Sequence, residues 1–213
     1  YKEVWEKAFA DAIPISGTFE LTPRCNFNCR MCYVHLRPEQ IPKLGREMSA
    51  ADWIRTAEEA KEAGTAWLCV TGGEPLLQPD AADFLRKVRE LGFAVKLDTN
   101  GCDPARLAEI LDRGLVDYVA MDVKNAPVRY AETVGVPDFD LAPVEESIRL
   151  LRKSTVDYEF RTTLVRELHR PEDLDAIAAW LAGSPRYYLQ NFVDSGNLIG
   201  RGYHGFTAEE LRG

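Results

Sequence analysis

The chain has 213 residues, of which 46% are hydrophobic and 28% are charged, and its formal net charge is −8. This length suits one large domain with a substantial core. The acidic balance, without a run of Lys and Arg, argues against bare nucleic acid or a membrane surface as a partner. No apolar run is as long as a membrane span and no signal peptide opens the sequence. The five cysteines are an odd number and do not suggest a secreted disulfide framework, so we expect a reducing, cytoplasmic environment.

The first part of the chain predicts an arm, a strand and a loop rich in cysteine. Residues 1–14 have a helical pattern and are expected to form an arm that packs against the domain or caps it. Residues 15–21 (ISGTFEL) predict the first strand, which Thr22 and Pro23 interrupt before the cysteines. Residues 36–48 are expected to be loop.

From Ser49 onward, helices and strands alternate. Ser49 is typical of a helix N-cap, with Asp52 three residues later, and Gly64 is expected to end that helix. Short apolar runs then alternate with helical patterns. We predict strands at 66–71, 93–98, 116–123, 158–164 and 186–192 and helices at 79–91, 103–113, 143–153 and 171–182.

This alternation indicates parallel strands joined by crossover helices. Six strand–helix units are too few to close an eight-stranded barrel. We therefore expect an α/β domain at residues 15–192, built as an open, partial (β/α)6 TIM-like barrel. The arm would precede it, and a Gly-rich tail or flap at 193–213 would follow. A doubly wound open sheet is the alternative architecture.

Three cysteines, Cys25, Cys29 and Cys32, have the spacing C-x3-C-x2-C. Thiolates are soft ligands, and clustered cysteines at short spacing favour an iron–sulfur cluster or zinc. Three thiolates would leave one iron of a four-iron cluster open to another ligand. The alternatives are a disulfide, or a structural zinc ion with His35 as the fourth ligand.

Chemically capable residues follow the end of every predicted strand. Because the carboxyl ends of parallel strands meet at one mouth of the fold, we expect these residues to converge there. The simpler interpretations are an ordinary turn at Gly72-Gly73, a solvated Lys124, and an ion pair between Arg161 and Asp122 or Glu159. The candidate site residues are Cys25, Cys29, Cys32, Gly72, Gly73, Glu74, Asp98, Thr99, Asn100, Asp122, Lys124, Arg161 and Gln190.

The cysteine loop and Gly72-Gly73-Glu74-Pro75 resemble the motifs of the radical S-adenosylmethionine (SAM) superfamily. The resemblance implies a [4Fe-4S] cluster on the three cysteines, with the open iron chelated by the amino and carboxylate groups of SAM. It implies that the Gly-Gly-Glu segment binds the ammonium group of SAM. The implied reaction is reductive cleavage of SAM, which forms a 5′-deoxyadenosyl radical.

Two further segments, Asp98-Thr99-Asn100-Gly101 and Met121-Asp122-Val123-Lys124, resemble those of glycyl-radical-enzyme activases. Residues 66–192 are similar to activating proteins of anaerobic ribonucleoside-triphosphate reductase. The resemblance implies a monovalent cation near Asp98 and Thr99, and contact of Lys124 with the SAM carboxylate. Arg161 is expected to reach the methionyl carboxylate or the adenosine ribose.

The same resemblance implies a partner glycyl-radical enzyme, which would lose the α-hydrogen of a glycine, and a low-potential flavodoxin or ferredoxin as electron donor. Met31, before the third cysteine, and Tyr33, after it, are more similar to peptide-modifying radical SAM enzymes. Modification of a peptide or small molecule is therefore one alternative. A non-catalytic, zinc-stabilised binding module is an alternative of another class. His169 and His204 are expected to be exposed rather than functional.

Overall fold

The computed structural model describes residues 2–34, 36, 39–196 and 198–211, so His35, the alternative zinc ligand, lies outside the described residues. Six strands form one sheet in which neighbours follow the chain order and every neighbouring pair is parallel. The strands are β1 (Ser16–Glu20), β2 (Trp67–Thr71), β3 (Ala94–Thr99), β4 (Tyr118–Asp122), β5 (Asp157–Leu164) and β6 (Tyr187–Asn191).

The strand order never reverses, which confirms the open partial barrel and excludes the doubly wound alternative, in which the order does reverse. Each crossover contains at least one helix, as is usual for connections between parallel strands. The helices are α1 (Lys2–Ala10), α2 (Ala50–Glu62), α3 (Ala81–Glu90), α4 (Pro104–Asp112), α5 (Tyr130–Val134), α6 (Ala142–Lys153) and α7 (Pro171–Leu181). Among these described helices, none combines the length and apolarity that a membrane crossing needs.

The predicted cap of α2 is confirmed. The Ser49 hydroxyl accepts the Asp52 backbone N–H at 3.2 Å, and the Asp52 carboxylate accepts the Ser49 N–H at 2.9 Å. Each side chain thereby satisfies a backbone donor that the first helical turn leaves free. The prediction of loop for residues 36–48 missed a short 3-10 turn at Ile41–Leu44.

The two faces of the sheet have different chemistry. In β3, Val95 and Leu97 are fully buried, whereas Lys96 and Asp98 on the other face are partly exposed. Side chains alternate between the two faces of a strand, so every second residue contributes to the helix-covered core. The remaining residues face the open interior of the partial barrel, and charged side chains are therefore accessible there.

The arm and the tail differ in how they contact the domain. Helix α1 leaves Trp5 52% and Phe9 90% exposed, so its apolar side does not pack as expected. The tail lies against the cysteine loop, since the backbone N–H of Ile199 donates to the Cys32 carbonyl at 3.1 Å and that of Gly200 donates to the Arg30 carbonyl at 2.6 Å.

Candidate active site

A cavity of about 490 Å³ lies at the carboxyl ends of the strands. Its volume is in the range that small-molecule sites occupy. Every candidate residue predicted from the sequence lies on its wall, from Cys25 in the loop after β1 to Gln190 on β6. The other wall residues were not among the candidates, although Glu20, at the end of β1, could have been found from its position. The further wall residues are Glu20, Phe27, Met31, Tyr33, Val34, Thr71, Thr163, Asn191, Phe192 and Val193.

The cysteine loop is held by backbone contacts at its start and in its middle. At its start, the N–H of Gly73 donates to the Thr22 carbonyl at 2.7 Å and that of Glu74 donates to the Arg24 carbonyl at 2.8 Å. Further along, the N–H of Asn28 donates to the carbonyl of Val134, at the end of α5, at 2.8 Å. These contacts fix the loop against the turn after β2 and the end of α5. No disulfide joins any of the five cysteines.

The close packing of the cysteine loop against the turn after β2 requires glycine at positions 72 and 73. Gly72 has φ +129°, and a Cβ there would lie 2.7 Å from the Thr22 carbonyl oxygen. A Cβ on Gly73 would overlap the Arg24 carbonyl. We predicted that these glycines let the backbone approach a ligand closely. In the structure, the group that lies against them is the cysteine loop.

The three thiols line the cavity, with Cys29 buried and Cys25 and Cys32 half-buried. Burial raises the pKa of Cys25 to about 11 and that of Cys29 to about 12. The positive charge of Lys124 acts in the opposite direction on the pKa of both thiols. Because metal coordination requires thiolates, assembly of a metal centre here must release protons from these groups.

Glu74 is the most deeply buried charged residue on the wall, with 2% exposure. Its carboxylate accepts three hydrogen bonds, from the Asn100 N–H at 2.7 Å, the Thr99 hydroxyl at 2.9 Å and the Leu76 N–H at 3.1 Å. Burial raises the pKa of Glu74 to about 7, while these donors and the charge of Lys124 limit the rise. The group is therefore partly ionised near neutral pH and ready to accept a cationic ligand.

Thr99 and Asn100 form their hydrogen bonds with other groups of the protein. Besides their bonds to Glu74, the Asn100 side-chain amide donates to the Asn26 side-chain oxygen at 2.9 Å and lies 3.6 Å from the Cys25 sulfur. This links the end of β3 to the cysteine loop.

Four other charged side chains on the wall form a continuous network. The Arg161 guanidinium contacts Asp98 at 3.1 Å and Asp122 at 2.9 Å, and the Lys124 ammonium contacts Asp122 at 2.9 Å. Burial alone would raise the pKa of Asp122, but Lys124 and Arg161 outweigh it and lower that pKa. The simpler interpretation of Arg161 as an ion-pair partner of Asp122 is confirmed. The pair with Glu159 is not observed, since Glu159 instead accepts from Tyr118 at 2.7 Å and approaches Lys96 at 3.9 Å.

The backbone of Lys124 is supported by a histidine that sequence reasoning expected to be exposed. That prediction was wrong, because His169 is 3% exposed. Its Nδ1 accepts the Val165 N–H at 3.0 Å, and its Nε2 lies 2.9 Å from the Lys124 carbonyl oxygen. Only the tautomer with its proton on Nε2 satisfies both contacts. His204 is exposed, as expected, and pairs with Glu167 at 2.8 Å.

With this fold and cavity in place, the class of protein is defined. The profile of the Radical SAM superfamily matches residues 19–181, and the chain belongs to that superfamily. This confirms the family recognised from the cysteine loop and the Gly-Gly-Glu segment.

Two curated relatives have different activities in their names. A protein of Methanocaldococcus jannaschii, provisionally named a glycyl-radical enzyme activating enzyme, is 37% identical over 130 residues, which are 59% of this chain and 54% of that protein. The PqqA peptide cyclase of Gluconobacter oxydans is 29% identical over 156 residues, which are 72% of this chain and 42% of that protein. The chain therefore spans about half the length of these relatives.

Among solved structures, the chain resembles SuiB of Streptococcus suis bound to its precursor peptide SuiA. The TM-score is 0.73 at 17% identity, and the match covers 99% of this chain and 47% of SuiB. At this identity the likeness establishes the fold alone.

Membership in the superfamily implies a [4Fe-4S] cluster and SAM as cofactors. The residues on the wall fit both groups. Cys25, Cys29 and Cys32 offer the soft sulfur donors that iron–sulfur clusters take. Glu74 and Lys124 offer charges of opposite sign, which match the ammonium and carboxylate groups of one amino-acid ligand.

Proposed function

We propose that this radical SAM enzyme is an activase of a glycyl-radical enzyme. The observation that carries the proposal is the convergence of Cys25, Glu74, Asp98 and Lys124 on one cavity. The last two belong to the segments that resemble activases. The 37% identity to a protein named for glycyl-radical enzyme activation supports the same assignment.

When bound, the cluster and SAM supply a 5′-deoxyadenosyl radical through one-electron cleavage of SAM. The protein binds and orients these groups and shields them from water. Cys25, Cys29 and Cys32 hold the cluster, Glu74 and the backbone of the Gly-Gly-Glu turn accept the SAM ammonium, and the Lys124 ammonium pairs with the SAM carboxylate. The buried walls keep water from the reacting atoms.

The substrate enters from the open side of the barrel. Strand β6 is an edge strand with most of its residues exposed, and Gln190 and Asn191 lie on the cavity wall. We propose that a glycine-containing loop of the partner enzyme reaches the cavity here, and that Gln190 contacts the bound ligands. We further propose that residues 193–213 act as a tail that completes the wall next to the domain at 15–192. We also predict that a low-potential flavodoxin or ferredoxin is the electron donor.

The monovalent cation that the resemblance implies near Asp98 and Thr99 also stays a prediction. Strand geometry places these two side chains on opposite faces of β3. The Asp98 carboxylate has Lys96 at 2.9 Å and Arg161 at 3.1 Å, whereas the Thr99 hydroxyl, at the end of the strand, binds Glu74.

Modification of a peptide is the second candidate function. It is supported by the 29% identity to a peptide cyclase, over a larger share of this chain than the activase-named relative matches. Met31 and Tyr33, which line the cavity, are the residues that resemble peptide-modifying enzymes.

The test of radical SAM chemistry is the formation of 5′-deoxyadenosine. The protein is reconstituted anaerobically with iron and sulfide and supplied with SAM and dithionite. Cys29→Ala should bind less iron and form no product, because it removes one of three cluster thiolates. Cys69→Ala is the matched control, since Cys69 lies in β2 outside the cavity wall, and it should retain the wild-type rate. Full activity of Cys29→Ala would reject the assignment of the site.

The two candidate functions are then separated by the substrate. A candidate glycyl-radical protein is added with its glycine residues deuterated. An activase should produce a glycyl-radical signal by electron paramagnetic resonance and transfer deuterium to 5′-deoxyadenosine. A peptide-modifying enzyme should give neither with this protein, and should instead change the mass of a peptide encoded nearby.

A further inference from the structure

Strand β6 forms one edge of the sheet, and its sequence contains none of the residues that usually protect such an edge. Residues 187–191 read YYLQN and include no charged residue, proline or glycine. Proteins commonly block or cover an exposed edge, because its unpaired backbone groups can bind another chain. Tyr188 and Leu189 are each 50% exposed, and Val193, just beyond the strand, is 80% exposed. The edge is therefore accessible and partly apolar.

Two backbone hydrogen bonds show which groups of β6 point outward. The Phe160 N–H donates to the Arg186 carbonyl at 3.1 Å. The Phe192 N–H donates to the Leu164 carbonyl at 3.0 Å. Even-numbered residues of β6 therefore turn their backbone groups to β5, and odd-numbered residues turn theirs away from it. Within the described part of the chain, no group bonds to the outward N–H or carbonyl of Leu189.

The tail pairs with the end of this edge as an extended chain would. The Asn191 side-chain amide donates to the Phe206 carbonyl at 2.8 Å, and its oxygen accepts the Phe206 N–H at 2.8 Å. An amide side chain has the same donor and acceptor as a peptide unit, so Phe206 is bonded as a strand residue is. The described tail residues make no such bond to Leu189, and the open part of the edge lies directly before this contact.

The open edge is continuous with the active-site cavity. Gln190 lies on the cavity wall, as does Thr163, its partner on β5. Side chains alternate along a strand, so Tyr188 is on the same face as Gln190. A chain added to β6 would lie about 4.8 Å from it and turn every second residue toward this face. Backbone pairing alone would therefore present a residue of the added chain to the cavity.

We propose that β6 is the docking edge for an extended segment of a polypeptide substrate, which joins the sheet as a seventh strand. The inference deepens the proposed function and rests on it for the substrate class, since both curated relatives are named for action on an enzyme or a peptide. An extended backbone fits because its donors and acceptors match the outward pair of Leu189. Backbone groups supply the affinity in this mode of recognition, and alternate side chains supply the specificity.

The test uses two fluorescein-labelled heptapeptides, each with glycine at its centre. One is the glycine segment of the candidate glycyl-radical protein, and the other is TVTGTVT, whose β-branched residues favour an extended chain. Their dissociation constants are measured by fluorescence anisotropy on protein reconstituted with iron and sulfide. The variants are Leu189→Pro, which removes the outward N–H, and Leu189→Ala, which removes only the side chain beyond Cβ.

We expect at least one of the two peptides to bind the wild type. Leu189→Pro should weaken this binding about tenfold, because it removes a donor and places the proline ring where the peptide backbone approaches. Proline is tolerated at an edge position whose N–H faces solvent, so the iron content should not change. Leu189→Ala should weaken binding less than about threefold, because it keeps the N–H.

A second series replaces one backbone N–H of the bound peptide at a time with N-methyl. Strand pairing predicts alternation, so methylation at the central positions should weaken binding about tenfold at every second residue and less than about twofold at the residues between. If the peptide runs antiparallel to β6, the glycine that faces the cavity turns its N–H away from β6 and tolerates the methyl group. If the peptide runs parallel, this glycine is a sensitive position.

Equal sensitivity at all central positions, or at none, would overturn the inference. Binding that Leu189→Pro leaves unchanged, or the failure of both peptides to bind the wild type, would also overturn it. If TVTGTVT binds at the edge but the candidate protein gives neither binding nor a glycyl-radical signal, activation of that protein is rejected while the docking edge stands. If Leu189→Pro does not fold, the methylation series on the wild type supplies the decision.

Discussion

The affinity for SAM should depend on pH through Glu74. The pKa of this buried carboxyl is raised to about 7. Only its ionised form provides a charge for the SAM ammonium, so a raised pKa leaves part of the protein unable to bind in slightly acidic solution. The affinity for SAM should therefore be weak below pH 7 and increase as the pH rises through the pKa of Glu74.

The magnitude follows from the ionised fraction. A group with a pKa of about 7 is about 9% ionised at pH 6 and about 76% at pH 7.5, so affinity should increase about eightfold over this window. The window ends there because an α-amino group loses its proton at about pH 7.7 to 8.0. Burial raises the pKa of the neighbouring Cys102 to about 12 and Asp122 raises the pKa of Lys124, so neither of these two groups titrates between pH 6 and pH 7.5.

The assay is titration of reconstituted protein with SAM by calorimetry from pH 6 to pH 7.5, in two buffers of different ionisation enthalpy. The wild type should release protons into the buffer on binding, because the SAM ammonium lowers the pKa of Glu74. Glu74→Gln keeps the size of the side chain but has no charge, so it should bind more weakly and lose the pH dependence. A wild-type affinity that is flat over this window, or a slope that persists in Glu74→Gln, would refute the reasoning.

The remaining predictions concern the supports of the site. Gly72→Ala should lower both iron content and SAM affinity, because its Cβ would lie 2.7 Å from the Thr22 carbonyl oxygen. The control is Gly114→Ala, since Gly114 also has a positive φ but lies in open space, and this change should only cost about 1 kcal/mol of stability. Equal iron contents in the two variants would contradict this prediction. His169→Phe removes the donor to the Lys124 carbonyl and should weaken SAM binding without loss of iron. His169→Gln should restore part of that affinity, and a failure of both variants to alter binding would exclude a positioning role.

Local patterns predicted the elements that frame the site. The cap at Ser49, the short apolar run that forms β2 and the cysteine spacing each depend on neighbours in sequence. The order of the strands also followed from the alternation of elements, since each crossover adds the next strand beside the last. Helix α5 was missed because five residues are too few for a helical periodicity to show.

Contacts between distant residues could not be predicted in the same way. Arg161 and Asp98 are 63 positions apart, and their pairing depends on the registers of β3, β4 and β5 together. His169 follows a polar segment that suggests exposure, yet it is buried because the Lys124 carbonyl and the Val165 N–H both need a partner. The sequence contains both histidine partners but nothing in its local pattern brings them together.

The Gly-Gly-Glu turn shows why the cluster loop and the SAM site must act as one unit. The same turn donates the Gly73 N–H to the Thr22 carbonyl at the start of the cysteine loop and presents the Glu74 carboxylate to the cavity. Asn100 provides a second link between the turn and the loop, because its N–H donates to Glu74 and its side chain donates to Asn26, beside the first cysteine. A shift of the cysteine loop must therefore displace the carboxylate as well. This coupling is the reason that Gly72→Ala, which touches neither cofactor group, is expected to weaken both sites together.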